Sequence, residues 1–565
     1  MASTLLSPGV EIQERDLTIG SIETVEVNVG AIAGAFSKGP VLKPVRISSE
    51  AQLIEQFGEP SDGNAETWWT AASFLQYGGV LDVVRVATSG QLTASDDNVS
   101  SPYTLSIPTL DDYESIYATA TNNPFKWAAR NPGSDANAIK VAIIDKGADI
   151  ILTLDGAPDT VDVGTQLSTT SGNAGGAKSG FIYEFDATTN KVSLITSDTW
   201  DSTDVIENGN TDINVTATTD WYDSQVAFTG FSWASIAPRP GTSPYVAERG
   251  GANDEMHVVV YDSTGVITGK PNTLLEKFTY VSKSNNSKTQ SGAVNYYPTV
   301  IQDKSNFIYW GSHEHRAYDV SANQEITSGA NYAGTGNAGS GSTTTFDLFS
   351  ANVAHRTYTF VKGAESLGAT SGEIMTGLVE FADTETLDVD YILMGPGDAA
   401  SKTNTQAIAA KVLSIASGRK DCVGFLSPFR GDVVGVTSST TQTNNVVNFY
   451  SNMQATSFGV FDNGWKYIYD RFADKYRYVP LNGDVAGLCA SVTANGTPWF
   501  SPAGLNRGAI RGAVKLAFSP TKSERDALYQ KRINPVTSLP GQGIVLFGDK
   551  TALASPSAFD RINVR

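Results

Sequence analysis

Period-two alternation appears twice near the start of the chain. Val10 and Ile12 flank Glu11 and precede Gln13, and Val25, Val27 and Val29 alternate with Glu26 and Asn28. This is the pattern of a strand with one apolar face. Pro8 and Gly9 exclude a helix ahead of the first burst. Such a terminal strand either closes its own sheet or adds to the edge of a neighbour's. Ala31 to Phe36 then predicts a buried strand ending at Lys38-Gly39-Pro40. Ser49 to Gln52 has capping-box spacing ahead of a short helix to Phe57, and Asn64 can cap a second helix, AETWWTAASFLQY, stopped by Gly78-Gly79. LDVVRV is again a strand.

From about 91 to 345 the pattern changes to short β-rich runs (KVAIID, ADIILTL, HVVVYD, KFTYVS) separated by polar turn clusters. The reading is all-β, in two lobes. The stretch 152–245 is the most polar and reads as a nested insertion, and Gly336 to Thr345 as a flexible loop or linker. From about 356 the α/β pattern resumes. LDVDYILMGP is strand and turn, Ser401 to Gly418 a helix with Ala407, Ile408, Lys411, Val412 and Ile415 at helical spacing, and CVGFLSP the next strand. Strand-helix-strand alternation implies a layered α/β core. The simplest architecture is multidomain α+β. A discontinuous α/β core (23–90 plus 346–510) carries a β-rich inserted domain (91–151 plus 246–345), sandwich- or barrel-like, with a nested outer β domain (152–245).

Length supports several folding units, since 565 residues are several times a usual domain. Forty basic against 59 acidic side chains, a net charge of -19, argue against a phosphate-binding groove as the main activity, and so against a nucleic-acid partner. Cys422 and Cys489 lie in apolar runs and read as small buried hydrophobes, compatible with reduced, cytosolic synthesis. The N-terminus lacks a signal-peptide pattern and no run of about twenty apolar residues occurs, so neither secretion nor membrane insertion is expected.

Candidate chemistry is sparse. His313-Glu314-His315 could chelate from one strand face, but a structural zinc needs about four ligands. Gly543 to Thr551 has an outline like that of a phosphate loop, yet Asp549 precedes Lys550 and the residues between the glycines form an apolar strand. Arg430-Gly431-Asp432 reads as coincidence, and the carboxylates Asp383, Glu385, Asp388 and Asp390 define no site. With no GxSxG or HExxH pattern either, no catalytic residue, cofactor or metal is assigned, and an enzyme is not expected.

The C-terminal block is aromatic and distinctive. Tyr467, Tyr469, Phe472, Tyr476 and Tyr478 supply apolar area with polar tips, Pro480 to Asp484 reads as a turn before the small-residue run VAGLCA, and Trp499 to Gly504 as a rigid aromatic turn. Thr521 with Glu524 can cap the helix SERDALYQKRI, ended by Asn534-Pro535. This helix is either an ordinary surface helix or, through Lys522, Arg525, Lys531 and Arg532, a basic patch meeting acidic surfaces on neighbouring subunits.

Taken together, WKYIYDRFADKYRYVPLNGDVAGLCA, PWFSPAGLNRG, RINPVTSLPGQGIVLFGDKTA and FDRINVR, with LLSPGVEIQERD, FGEP and FLQYGGVLDVVRV at the other end, resemble the contractile tail sheath family of T-even-like bacteriophages. The resemblance covers about 5–90 and 346–565 and is loose between them. It implies a virion structural protein, made in the host cytoplasm, that forms a helical homopolymer around a tail tube and meets baseplate and tail terminator proteins. Contraction by subunit repacking, without nucleotide hydrolysis, would drive the tube through the host envelope. It also implies an extended N-terminal arm, here residues 1–22 with Val10, Glu11, Ile12 and Gln13 as intersubunit contacts. The family continues past FDRINVR, so 511–565 is expected to be the start of a truncated C-terminal domain, and this form monomeric. The competing readings are the sheath of a related contractile injection system and, in another class, a β-rich surface adhesin or glycan-binding protein.

Overall fold

The computed structural model describes residues 28–96, 103–120, 123–159, 161–162, 165–209, 211–312, 355–495 and 498–564. The strand expected at Val10 to Gln13, the residues His313 to His315, and the loop or linker expected at Gly336 to Thr345 lie outside the described residues.

Mixed α/β layers organise the molecule. A seven-stranded sheet runs in the order Val45–Ile47, Val80–Arg85, Val29–Gly34, Tyr391–Leu393, Val423–Leu426, Gly459–Asp462, Ile533–Asn534. All neighbouring pairs are parallel except the antiparallel edge strand Val45–Ile47. Helices cover both faces, which is why these strands read as continuous apolar runs. On one face Ile32, Val83, Leu393, Phe425 and Val460 pack with Trp68, Phe74 and Leu488. On the other, Ala31, Val84, Ile392 and Leu426 pack with Ile408, Val412 and Phe449. Strand Val29–Gly34 is rich in small residues because the helix is so close: a Cβ on Gly30 would lie 2.8 Å from the Phe74 ring.

Chain direction reverses at one point in this sheet. From Val29–Gly34 the chain proceeds to one side, into Val80–Arg85, while from Tyr391–Leu393 it proceeds to the other through the helix Lys402–Arg419. The carboxyl ends of these two adjacent parallel strands therefore splay into a crevice.

The region between carries two antiparallel strand pairs, Val226–Phe228 with Phe231–Ser232 and Trp127–Ala129 with Ile308–Trp310, and two larger antiparallel sheets. One has the order Thr273–Ser282, Glu255–Asp262, Ile139–Ile144, His355–Thr359; the other has six strands drawn from 150–220. Two findings differ from the sequence reading here. The region is not all-β: helices Leu110–Ile116 and Tyr297–Lys304 lie in it. The first hid in a polar stretch that looks like a turn cluster, but Thr109 and Asp112 close a capping box there. Strand His355–Thr359 joins the inserted four-stranded sheet instead of the core, whereas Ile533–Asn534 closes the core sheet from beyond 511. Alternation identifies a strand without identifying its sheet.

Local signals were also used differently from expectation. Ser49 accepts a hydrogen bond from the Gln52 amide, as its spacing predicts. Asn64 is the N-cap residue of Ala65–Leu75 but does not cap it: its Oδ1 turns back to accept from the Ser61 amide at 2.8 Å. Pro480 to Asp484 is not a simple turn, because Asn482 already begins the buried helix Asn482–Ala494. That helix is made of small residues for close approach: a Cβ on Gly483 would lie 2.5 Å from the Thr70 carbonyl oxygen.

Candidate functional site

At the carboxyl ends of Val423–Leu426 and Gly459–Asp462, where α/β enzymes place their chemistry, polar groups do converge. Ser427 donates to Asp462 at 2.6 Å and accepts from the Asn482 amide at 2.9 Å. Gly464 donates its amide to the other Asp462 oxygen at 2.9 Å. Burial pushes the Asp462 carboxyl up to about 8, against these two hydrogen bonds, with nearby Asp484 adding repulsion. Lys466 meets Asp484 at 2.8 Å, their side chains 1% and 0% exposed. Burial raises the Asp484 carboxyl despite this lysine. Tyr77 donates to Asp484 at 3.0 Å and accepts from the Arg511 amide at 2.8 Å.

Both carboxylates are wholly buried. Enclosed in this way, they tie together the sheet, the helices Ala65–Leu75 and Asn482–Ala494, and the segment at Arg511. A buried ion pair of this kind is weak evidence of stability but resists rearrangement, since breaking it strands a charge.

A second charged constellation lies on the hairpin Trp465–Asp470/Lys475–Pro480. Arg477 pairs with Asp470 at 2.6 Å, and Arg477 and Lys475 both grip Asp62. Arg471 pairs with Glu50, and Arg430 lies 3.3 Å from Glu66. Tyr467 stacks on Tyr476 at 5.3 Å. These contacts clamp the hairpin onto the helices Glu50–Phe57 and Ala65–Leu75, a role that sequence reasoning missed. The alternation of Lys475 and Arg477 with Tyr476 and Tyr478 was its only visible signal.

The remaining candidates resolve one by one. Lys522, Arg525, Lys531 and Arg532 lie on and just past the helix Lys522–Gln530, whose Thr521–Glu524 capping box forms as expected. Lys522 and Lys531 are exposed, Arg525 leans over the Phe547 ring at 6.0 Å, and Arg532 donates to the Ala552 carbonyl. Two of the four cations are therefore outward and two are used internally. Gly543–Leu546 is a strand paired with Val536–Leu539, and beyond it Asp549 is held by Arg561, while Lys550 donates to the Tyr529 carbonyl at 3.1 Å. No phosphate cradle is present there. Arg430 to Asp432 forms a helical turn, with Asp432 held by Lys402 at 2.8 Å. Cys422 and Cys489 are free and buried, burial pushing both thiols up to about 12. Among the described residues no group of three or more His, Cys, Asp or Glu could hold a metal, and no helix is long and apolar enough to cross a membrane.

The surface near the C-terminal block is unusually apolar. Trp499 is 63% exposed, with Phe500, Leu505, Phe547 and Phe559 also exposed.

Comparison with known proteins brings the two ends of the chain together. Residues 368–552 match the family model described as phage tail sheath protein central domain, and residues 29–86 match that of tail sheath protein Gp18 domain III N-terminal region. Both stretches supply strands to the seven-stranded sheet. The tail sheath protein of Enterobacteria phage T4 is 27% identical over an alignment spanning 100% of this chain and 84% of that protein. The tail sheath protein of Vibrio phage KVP40 is 28% identical, over 100% of this chain and 85% of its own length. Among solved structures, a sheath tail protein from Listeria innocua aligns over 96% of this chain and 72% of its own, with a TM-score of 0.43 and 10% identity.

Proposed function

The chain belongs to the contractile tail sheath family, and from that premise we propose that it polymerises helically around an inner tail tube and shortens to drive that tube through the host envelope. The observation that carries this is the pair of sheath-family matches, at 29–86 and 368–552, lying far apart in sequence yet sharing one sheet. The seven-stranded sheet with its two helical layers would form the inner body. The antiparallel lobes between 91 and 345 would project outward, and residues 1–22 would act as an arm linking neighbours by strand addition. In this reading Val10, Glu11, Ile12 and Gln13 lie on the arm, and the outward Lys522 and Lys531 meet acidic surfaces of the next subunit. Contraction would draw on repacking of subunits and need no catalytic residue. The tube, baseplate and tail terminator proteins are its partners, and the host cytoplasm its place of synthesis.

Sedimentation and negative-stain microscopy of the full-length protein with purified tail tube test this. Tubular polymers of fixed diameter are expected. A protein that stays monomeric with tube and baseplate present overturns the proposal.

A further inference from the structure

The crevice at the reversal point of the sheet has a volume of about 660 Å3. Its walls follow the carboxyl ends of three adjacent strands: Ala35 after Val29–Gly34, Pro396 and Gly397 after Tyr391–Leu393, and Arg430 after Val423–Leu426. The 11-residue helix Ala65–Leu75 starts in it. That helix has no side-chain cap: the Ala65 amide donates to the Ser61 carbonyl and the Trp68 amide to the Asn64 carbonyl, both at 2.9 Å, while the Glu66 and Thr67 amides receive no acceptor from the Asn64 side chain. Asn64 lines the crevice, is 3% exposed, and spends its Oδ1 on Ser61, leaving its Nδ2 buried without a partner. A buried donor left without an acceptor loses its hydration and gains nothing in return. It sits beside the positive end of a helix dipole, where an oxygen acceptor carrying negative charge is most favoured.

The charges around it fit the same guest. Arg430 stands on one wall, and Lys475 and Arg477 stand at the other with Asp62 between them. Asp62 is a side chain 74% exposed, held by those two cations so that its carboxyl falls to about 2. The chain thus already places one of its own carboxylates in the mouth of the crevice. Two further acidic groups line the crevice, and of these Asp398 is satisfied by Asn404 at 2.6 Å and by the amides of Ala400 and Ser401. Glu66 faces Arg430 at 3.3 Å, and burial raises its carboxyl against the pull of that cation.

We propose that this crevice is an oxyanion-binding site whose occupant in the assembled sheath is a side-chain carboxylate of a second copy of this chain. A second copy is the natural source. With 59 acidic against 40 basic side chains, carboxylates are the anions each copy presents in surplus, and basic groups that gather on such a chain mark where they are received. The oxyanion site stands on this geometry alone; the second-copy source rests on the sheath reading above.

The test uses the full-length protein and two variants with opposite expected effects. Asn64→Asp keeps the acceptor for Ser61 and replaces the free donor by a negative charge. Asp62→Asn releases Lys475 and one end of the Arg477 guanidinium, whose other end stays on Asp470. Inorganic phosphate is titrated at ionic strength held constant with chloride, following Tm. A saturable rise is expected for the wild type, lost in Asn64→Asp and reached at several-fold lower phosphate in Asp62→Asn. Equal responses in wild type and Asn64→Asp overturn the site. The concentration needed for polymer formation is then measured for all three. Asn64→Asp should raise it at least ten-fold, Asp62→Asn should lower it, and phosphate should raise it for the wild type. Phosphate binding with unchanged polymer thresholds overturns the second-copy source and leaves a free-anion site. A wild type that forms no polymer at all counts against the sheath reading, while the Tm comparison still decides the oxyanion site.

Discussion

In the seven-stranded sheet, strand Val29–Gly34 is buried at every position; in the six-stranded lobe, strand Ile213–Asp220 buries only Ile213 and Val215. The first strand is parallel to both neighbours and covered by helices on both sides, the second antiparallel with one face in water. Their charges differ in the same sense. Lys466 and Asp484 are sealed in the core, whereas Lys178 in the lobe meets both the buried Asp204 and the 54%-exposed Asp201. Burial on two faces ties each residue to two sets of neighbours, so the core can transmit force as one body. The lobe's own core gathers around Leu152, Leu194 and Trp200, and from the other face of its sheet Ile151, Tyr183 and Ile195 pack with the cluster around Trp221 and Val259. Both family-model matches fall outside the lobe, as expected where fewer positions are constrained.

The largest effect should come from the core's ion pair. Lys466→Ala leaves Asp484 buried without its cation and should cost about 3–5 kcal/mol in a urea unfolding titration. Adding Asp484→Leu should recover much of that loss, because the stranded charge goes with it. A loss under about 1 kcal/mol in the single variant would mean that water reaches the pair and that the core is looser than described.

Next, Leu393→Ala in the sheet and Leu194→Ala in the lobe remove equally buried side chains and should each cost about 2–5 kcal/mol. Hydrogen exchange separates them. The sheet variant should weaken protection throughout the core, and the lobe variant only within 150–220. If Leu194→Ala also lowered protection of Val29–Gly34, the two regions would be one cooperative unit.

The third effect depends on pH. The Asp462 carboxyl is raised to about 8 in the folded chain, against roughly 4 when unfolded. The folded state therefore keeps a proton that the unfolded state loses, so this contribution is whole below about pH 4 and is lost as pH rises through about 8. Urea midpoints of the wild type and Asp462→Asn should diverge in the variant's favour between pH 5 and pH 9. A constant difference would show the carboxylate to be ionised and satisfied at both.

The smallest effect belongs to the lobe's outer face. Thr216 is exposed and donates to the Thr153 carbonyl at 2.9 Å, and Thr216→Val should shift stability by no more than about 0.5 kcal/mol. A larger loss would show that this face is covered in the protein as it assembles.

Elements were legible where burial leaves a one-dimensional trace. The helix expected from Ser401 to Gly418 is found at Lys402–Arg419, with Ser401 capping it by accepting from the Asn404 amide at 3.2 Å. The expected strand within CVGFLSP is Val423–Leu426. The helix Ser371–Val379 escaped notice although Thr370 and Glu373 form a capping box, because its glycines weaken the apolar period.

The chemistry was less legible, and for one reason. The crevice needs Asn64, Pro396, Arg430 and Lys475 from four separate segments, and the buried network needs Tyr77 to reach Asp484 across 407 residues. Periodicity, turn residues and composition are local quantities, so the chain's order was enough to set its α/β class, most of its core strands and the absence of a familiar catalytic motif. Which sheet a strand joins, whether Asn64 caps its helix or turns toward Ser61, and which charges are sealed together depend on contacts between distant segments. Those contacts are chosen by packing in three dimensions, where the cost of an unpaired buried group outweighs any local preference.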